Sequence, residues 1–198
     1  MGKARERRLV YAPTPQDPAY DGVRSVAFSP DGTLLASANH GRSPERTACV
    51  WEVRTGALVR RLVGGFRYGI AAAAFNPDGH VLALAGDDHD HVVKLFDVAT
   101  GDERPRAFAR APCAISALAF SPDGRYLVAG GDRELLVIYD LTAGSEQRLQ
   151  GQLGWTTALA FSPRGDMLAS GEEEQAVGLW EVASGRRIHA LRGHGLPS

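Results

Sequence analysis

The segment Phe120-Ser121-Pro122-Asp123-Gly124 has three counterparts elsewhere in the chain, and this recurrence decides the fold. The counterparts read Phe-Ser/Asn-Pro-x-Gly and begin at Phe28, Phe75 and Phe161, so the intervals along the chain are 47, 45 and 41 residues. A second phrase keeps step with the first, an aromatic residue followed by an acid and then Val or Leu, and it begins at Trp51, Phe96, Tyr139 and Trp180. Repetition at this period indicates one supersecondary unit copied in series.

Each unit predicts four short strands, here labelled a to d, and the third unit shows them most clearly. Strand a is predicted over 115–120, strand b over 126–129, strand c over 135–141 and a polar strand d over 146–149. The intervening Ser-Pro-Asp-Gly is turn chemistry, because Pro fixes its own φ and Gly accepts a positive φ. Turn signals recur about every 8–12 residues and leave no room for a helix. The sequence therefore predicts an all-β protein, a β-propeller in which four-stranded antiparallel sheets (blades) stack around an axis.

The four units resemble the WD-repeat family of β-propellers over about residues 22–194. In that family strand c ends in Trp-Asp, a Gly-His lies between strand d and the next strand a, and a buried His–Ser/Thr–Asp–Trp network often links them. The resemblance implies a ring of seven or eight blades, of which this chain supplies four.

The chain departs from the family pattern at the two polar positions of that network. The position of the family's His holds Ala19, Phe66, Ala111 and Gln152 in the four units. The position of the turn acid, six residues before the aromatic of strand c, holds Glu45, Asp90, Arg133 and Glu174. We therefore expect no unit to form the full network and apolar packing to hold the blades.

Propellers of this family usually have seven or eight blades, so the four blades of this chain raise the question of how a ring is completed. We predict a single propeller or half-propeller domain over 1–198, with blades at about 22–63, 69–109, 114–150 and 155–192, and an orphan outer strand at 7–11. An open arc exposes two apolar blade faces. Three alternatives follow: a homodimer that completes an eight-bladed ring, a fragment that needs a partner segment, or a chain that closes alone as a four-bladed ring.

The composition and net charge limit the classes of partner that we expect for this chain. The 198 residues are 44% hydrophobic and 23% charged, which is ordinary for a globular protein, and the formal net charge is −1. No overall field favours a nucleic acid or an anionic membrane, so we expect neither as a partner. The two cysteines, Cys49 and Cys113, fall in different units, and no apolar run follows the basic N-terminus. These features favour a cytoplasmic protein.

The family resemblance places the expected binding face on the d–a and b–c loops, where partners of WD-repeat proteins commonly dock. Aromatic residues and Arg are typical interface anchors. The candidates for protein binding are Tyr20, Phe66, Arg67, Tyr68, His89 and Trp155. The alternative for Phe66, Tyr68 and Trp155 is that they fill the seams between blades. The sequence thus predicts a non-catalytic scaffold or regulatory module that binds a protein or peptide of unknown identity.

Catalytic patterns are missing from the sequence. We find no Gly-x-Ser-x-Gly elbow, P-loop, His-Glu-x-x-His or paired-Cys zinc motif, and we predict no catalytic residue, cofactor or metal. The run 87–91, Asp-Asp-His-Asp-His, has the donor types of a divalent-metal site but is better explained as a solvated b–c loop. Two rivals stay open: a propeller enzyme with a site in the channel, and a fragment of a larger propeller protein without independent function.

Overall fold

The computed structural model is all-β, and it describes residues 22–40, 47–87, 90–105, 108, 111–132, 135–152, 154–173 and 176–193. The expected orphan strand at 7–11 lies outside these residues. In the described part of the chain fifteen strands form four antiparallel sheets, each with its strands in chain order. Within the described ranges there is no helix of a length and polarity suited to crossing a bilayer.

The strands have the following bounds. Sheet 1 holds β1 (Gly22–Phe28), β2 (Leu34–His40), β3 (Thr47–Glu52) and β4 (Leu58–Val63). Sheet 2 holds β5 (Ile70–Phe75), β6 (Val81–Gly86) and β7 (Val93–Asp97). Sheet 3 holds β8 (Ile115–Phe120), β9 (Tyr126–Gly131), β10 (Leu136–Asp140) and β11 (Ser145–Arg148). Sheet 4 holds β12 (Thr156–Phe161), β13 (Met167–Glu172), β14 (Ala176–Glu181) and β15 (Arg186–Arg192).

Among the described residues, sheet 2 has three strands where the repeat predicts four. Its outer position shows one bridge between Phe96 and Glu103 and two backbone hydrogen bonds, from Asp97 N to Asp102 O at 2.9 Å and from Arg104 N to Leu95 O at 2.8 Å. Pro105 follows directly. Proline has no N–H to donate to a ladder, so residue 105 itself adds no hydrogen bond to the pairing with β7.

In every sheet the Phe of the first phrase and the aromatic residue of the second lie in one row across strands a, b and c. In sheet 1, Phe28 is paired with Leu35 of β2, and Leu35 is paired in turn with Trp51 of β3. The corresponding rows are Phe75–Leu82–Phe96, Phe120–Leu127–Tyr139 and Phe161–Leu168–Trp180. We call the face that carries this row the front face of a sheet, and the opposite face its rear face.

The turn between strands a and b is held by the residue after each Phe. In sheet 1 the Ser29 Oγ accepts the N–H of Leu34 at 2.9 Å, and Gly32 follows with a φ of 69°. The same bond recurs in the other sheets, to the side chains of Asn76, Ser121 and Ser162. The repeated motif therefore closes the a–b hairpin by one side-chain acceptor and one left-handed glycine.

The sheets stack in chain order through their innermost strands. Strand β5 contacts β1 and β2, β8 contacts β5 and β6, and β12 contacts β8 and β9. Each of the three buried clusters combines the rear face of one sheet with the front face of the next. The first, for example, joins Ala36, Ala48 and Val50 of sheet 1 to Leu82 and Phe96 of sheet 2. The core thus lies between sheets, as stacked propeller blades require.

Candidate functional site

The b–c and d–a loops share one end of every sheet, and we call this end the loop face. The best-defined part of it is the loop from β4 to β5, residues 64–69. Asp90, from the loop between β6 and β7, is 8% exposed, and its Oδ2 accepts the backbone N–H groups of Arg67 at 2.6 Å and Tyr68 at 3.1 Å. Both side chains lie on the surface, and Tyr68 is 42% exposed. One buried carboxylate thus fixes the backbone of two exposed residues.

Phe66 lies in the core and not on the surface. It is 4% exposed and belongs to the cluster between sheets 1 and 2. A Cβ added at Gly64 would fall 2.6 Å from the Phe66 ring, so the fit depends on a glycine. The Lys94 Nζ lies 5.6 Å from the ring centroid. Phe66 therefore fills a seam, which was the alternative predicted for it, and it directly precedes Arg67 and Tyr68 in the loop.

Trp155 is half-buried at the seam between sheets 3 and 4. Its indole N–H donates to Ser116 Oγ, at 2.8 Å, and Ser116 lies on β8 of the neighbouring sheet. The Ser116 hydroxyl in turn donates to the Thr156 carbonyl at 2.5 Å. Trp155 thus ties two sheets together while part of its ring stays accessible on the loop face.

A family model supports the repeat directly. The model described as WD domain, G-beta repeat, matches four segments: 16–52, 56–97, 106–139 and 144–181. The chain belongs to the WD-repeat family. The matched WD-repeat units are offset from the sheets, since the segment 56–97 spans β4 of sheet 1 together with β5–β7 of sheet 2. The segment 144–181 likewise spans β11 of sheet 3 together with β12–β14 of sheet 4, so these two matched segments each join one blade covalently to the next.

A curated relative shares part of this WD-repeat chain. Centriole proteome protein 16 of Chlamydomonas reinhardtii is 45% identical over 69 residues, which is 34% of this chain and 3% of that protein. The chain thus spans a small part of that relative's length.

The WD-repeat network is partly built in sheet 4, which the sequence did not reveal. Trp180 donates to Ser170 Oγ at 2.9 Å, and the Ser170 hydroxyl donates to Glu172 Oε1 at 3.0 Å. The other oxygen of Glu172 pairs with Arg187 at 3.2 Å, with side-chain exposures of 0% and 14%. Glu172 therefore has a buried role of the kind expected for Glu174, which lies outside the described residues.

The position of the family's His is buried wherever it is described. Phe66, Ala111 and Gln152 are 4%, 7% and 6% exposed. Both polar side-chain atoms of Gln152 are without a hydrogen-bond partner among the described residues. The chain thus keeps the burial of this position and loses its hydrogen bonds.

Three acidic residues of the loop face lie largely inside the protein. Asp87, Asp90 and Glu172 are 2%, 8% and 6% exposed. No group of three or more His, Cys, Asp or Glu side chains is placed to hold a metal within the described part of the chain. His89 and Tyr20, two expected binding residues, lie outside that part.

The opposite end of the sheets carries a groove of about 410 Å³ between sheets 1 and 2, lined in part by Asp31, Val59, Arg60, Pro77 and His80. Hydrogen bonds, first from the Ser29 hydroxyl and then from Thr33, lower the pKa of Asp31 to about 2. Asp31 therefore stays ionised as a turn cap, and an acid of that strength is a poor proton donor near neutral pH.

Proposed function

We propose that this chain is a non-catalytic WD-repeat module, a scaffold or regulatory domain that binds a protein or peptide on its loop face. The observation that carries the proposal is the exposed pair Arg67 and Tyr68 on backbone fixed by Asp90. Arg and Tyr are enriched among the residues that dominate interface energies. A loop that is already held in place loses less conformational entropy when it binds.

The chemistry of the pair suggests what the partner segment presents. The Arg67 guanidinium matches a carboxylate through two parallel hydrogen bonds, and the Tyr68 ring offers an apolar surface with a hydroxyl at its tip. Asp90 is buried beneath them and has its charge satisfied by the loop N–H groups. We therefore expect a segment with a carboxylate next to an apolar side chain.

The other expected binding residues have different parts in this proposal. Phe66 is a support, because its ring is buried beneath the loop. Trp155 is a second contact, limited to the part of its ring that the seam leaves accessible. Tyr20 and His89 remain predictions from the sequence. We also propose a cytoplasmic location, which fits the placement of the two cysteines in a reducing compartment. Cys49 is 3% exposed in β3 of sheet 1, whereas Cys113 lies just before β8 of sheet 3.

The test is a selection of peptides on the immobilised chain from a random displayed library. Affinities of the selected peptides are then measured by fluorescence polarisation for the native chain and for the double variant Arg67→Ala/Tyr68→Ala. We expect the double variant to bind at least about tenfold more weakly, which is about 1.4 kcal/mol. Far-UV circular dichroism checks that its fold is unchanged.

Arg164→Ala is the matched control. Arg164 lies in an a–b turn at the opposite end of the sheets, its side chain is 85% exposed, and its ion-pair partner is Asp166. This variant should bind the selected peptides as the native chain does. Undiminished binding by the double variant, or selection of no peptide at all, would refute the loop face as the binding site.

A further inference from the structure

The exposed large apolar side chains fall mainly on the two end sheets. Sheet 1 carries Val23, Val26, Phe28, Val53, Leu58, Val59 and Val63, which are 39–75% exposed. Sheet 4 carries Ile188 and Leu191, at 36% and 51%. The position of Phe28 in sheet 2 is Phe75, which is 9% exposed because sheet 1 covers it. The front face of sheet 1 is therefore built like a seam face, and no sheet of the described chain covers it.

The rear face of sheet 4 has the composition needed to complete such a seam. In two of the three internal seams the rear face is rich in Ala and Val, and in the third it is formed by Val128, Leu136, Ile138 and Leu149; each receives a front face of Phe, Leu and a further aromatic residue. The rear face of sheet 4 has the same small residues, with Ala158 and Ala160 exposed. Leu191 shares this face, because it is the cross-strand partner of Val177.

A close approach between neighbouring turns, of a turn glycine to the ring of a turn proline, follows the same order along the chain. A Cβ added at Gly79 would lie 3.6 Å from Pro30, one at Gly124 would lie 3.4 Å from Pro77, and one at Gly165 would lie 3.4 Å from Pro122. At Gly32, the first glycine of the series, nothing lies within 4 Å. The series thus starts with an uncovered glycine in sheet 1 and ends with Pro163 in sheet 4.

A hydrogen bond between neighbouring sheets also recurs, with the donor always in the earlier sheet of the pair. Arg60 donates to the Thr100 carbonyl at 2.9 Å, from sheet 1 to sheet 2, and Gln147 donates to the Ser184 carbonyl at 3.0 Å, from sheet 3 to sheet 4. The donors Arg60 and Gln147 are the cross-strand partners of the residues that precede the aromatic residue of strand c. The acceptors Thr100 and Ser184 each precede the glycine of a turn. In sheet 4 the donor position is His189, and in sheet 1 the acceptor position is Thr55.

We propose that the rear face of sheet 4 binds the front face of sheet 1 in a second copy of this chain, head to tail. Pro163 of one copy then meets Gly32 of the other, and His189 approaches the Thr55 carbonyl. The occupant is a second copy because one chain carries both complementary halves of the seam. Two copies joined by two such seams make eight blades, within the number with which propellers close.

The experiment measures the solution mass by light scattering on a size-exclusion column. The native chain should have twice its mass of 21.2 kDa. Phe28→Glu on the front face and Leu191→Lys on the rear face should each give a single-chain mass, with far-UV circular dichroism unchanged because both residues are exposed. Tyr68→Glu, a matched charge substitution on the loop face, should leave the doubled mass unchanged.

Mixing the two seam variants tests the polarity. The mixture retains one intact seam, between Leu191 of one variant and Phe28 of the other, so it should recover a doubled mass at higher protein concentration than the native chain needs. A doubled mass for Leu191→Lys alone would mean front-to-front pairing and would overturn the proposal. So would a monomeric native chain, a longer assembly, or a mixture that stays monomeric.

Discussion

Trp180 donates its indole N–H to the Ser170 hydroxyl at 2.9 Å, across two paired strands of sheet 4. Trp51 and Ser37 repeat this bond at 2.8 Å in sheet 1. In sheets 2 and 3 the same two positions hold Leu84 with Phe96 and Ala129 with Tyr139. Serine is therefore present where the aromatic residue is Trp and absent where it is not, which couples the two positions within each blade.

Ser170→Ala should lower the free energy of unfolding by about 1–3 kcal/mol, because it leaves the indole N–H of the fully buried Trp180 without an acceptor. Urea denaturation followed by circular dichroism measures the change. In a double-mutant cycle with Trp180→Phe, the combined loss should be smaller than the sum of the single losses. Strict additivity would show that the bond contributes nothing of its own.

Arg187→Met should cost more than Ser170→Ala. It leaves the Glu172 carboxylate, whose side chain is 0% exposed, without its ion-pair partner, and breaking a buried pair in this way costs about 3–5 kcal/mol. The matched control is Arg186→Met, an exposed neighbour on the same strand, for which we expect a change within about 0.5 kcal/mol. Equal losses for the two variants in urea denaturation would rule out a stabilising role for the pair.

The sequence was sufficient to predict the family and an all-β fold of antiparallel sheets. The seven-residue interval from Phe28 to Leu35 is the length of one hairpin, and the structure pairs these two residues directly. The phrase Phe-Ser-Pro identifies the end of strand a, and Trp-Glu-Val identifies the end of strand c. The turn residues that accompany them require a particular backbone conformation. The family and the all-β fold followed from this spacing.

The sequence was not sufficient to assign the polar side chains. Counting six residues back from Trp180 selects Glu174, whereas the carboxylate bonded to Ser170 belongs to Glu172. Residue spacing alone does not report that Glu172 accepts the Ser170 hydroxyl. Phe66 likewise has the composition of an interface anchor, and only its packing against Gly64 and Phe96 shows that it fills a seam. The serine that accompanies each Trp was a readable signal for the network.

Gln152→Leu should raise the free energy of unfolding by about 1 kcal/mol or more, because a buried amide without a hydrogen-bond partner among the described residues carries an uncompensated desolvation cost. Urea denaturation checks the sign. The control is Gln147→Leu on β11, an exposed amide that donates to Ser184 O at 3.0 Å, and it should not stabilise the chain. A lower stability for Gln152→Leu would show that the amide has a partner in solution.

Stability should fall as the pH drops from about 4 towards 2. The Ser29 hydroxyl, followed by Thr33, lowers the pKa of Asp31 to about 2, and the Ser121 hydroxyl lowers the pKa of Asp123. Because these folded-state pKa values lie below the usual 3.8, their stabilisation is present above pH 4 and is lost as the pH falls through them. Urea midpoints at several pH values measure this. Asp31→Asn should reduce the slope, and an unchanged slope would contradict the assignment.

Asp90→Ala should weaken peptide binding by about tenfold although Asp90 is itself buried, because it releases the backbone N–H groups of Arg67 and Tyr68. Fluorescence polarisation with the selected peptides measures the loss. Asp97→Ala is the matched control, since Asp97 Oδ1 accepts the N–H groups of Ala99 and Thr100, each at 3.0 Å, at the opposite end of the sheets. Asp97→Ala loses these two bonds and the ion pair with Arg104 at 3.0 Å. Both variants should therefore be destabilised, but only Asp90→Ala should lose affinity. Equal affinity losses would show that binding follows global stability and not the geometry of the loop.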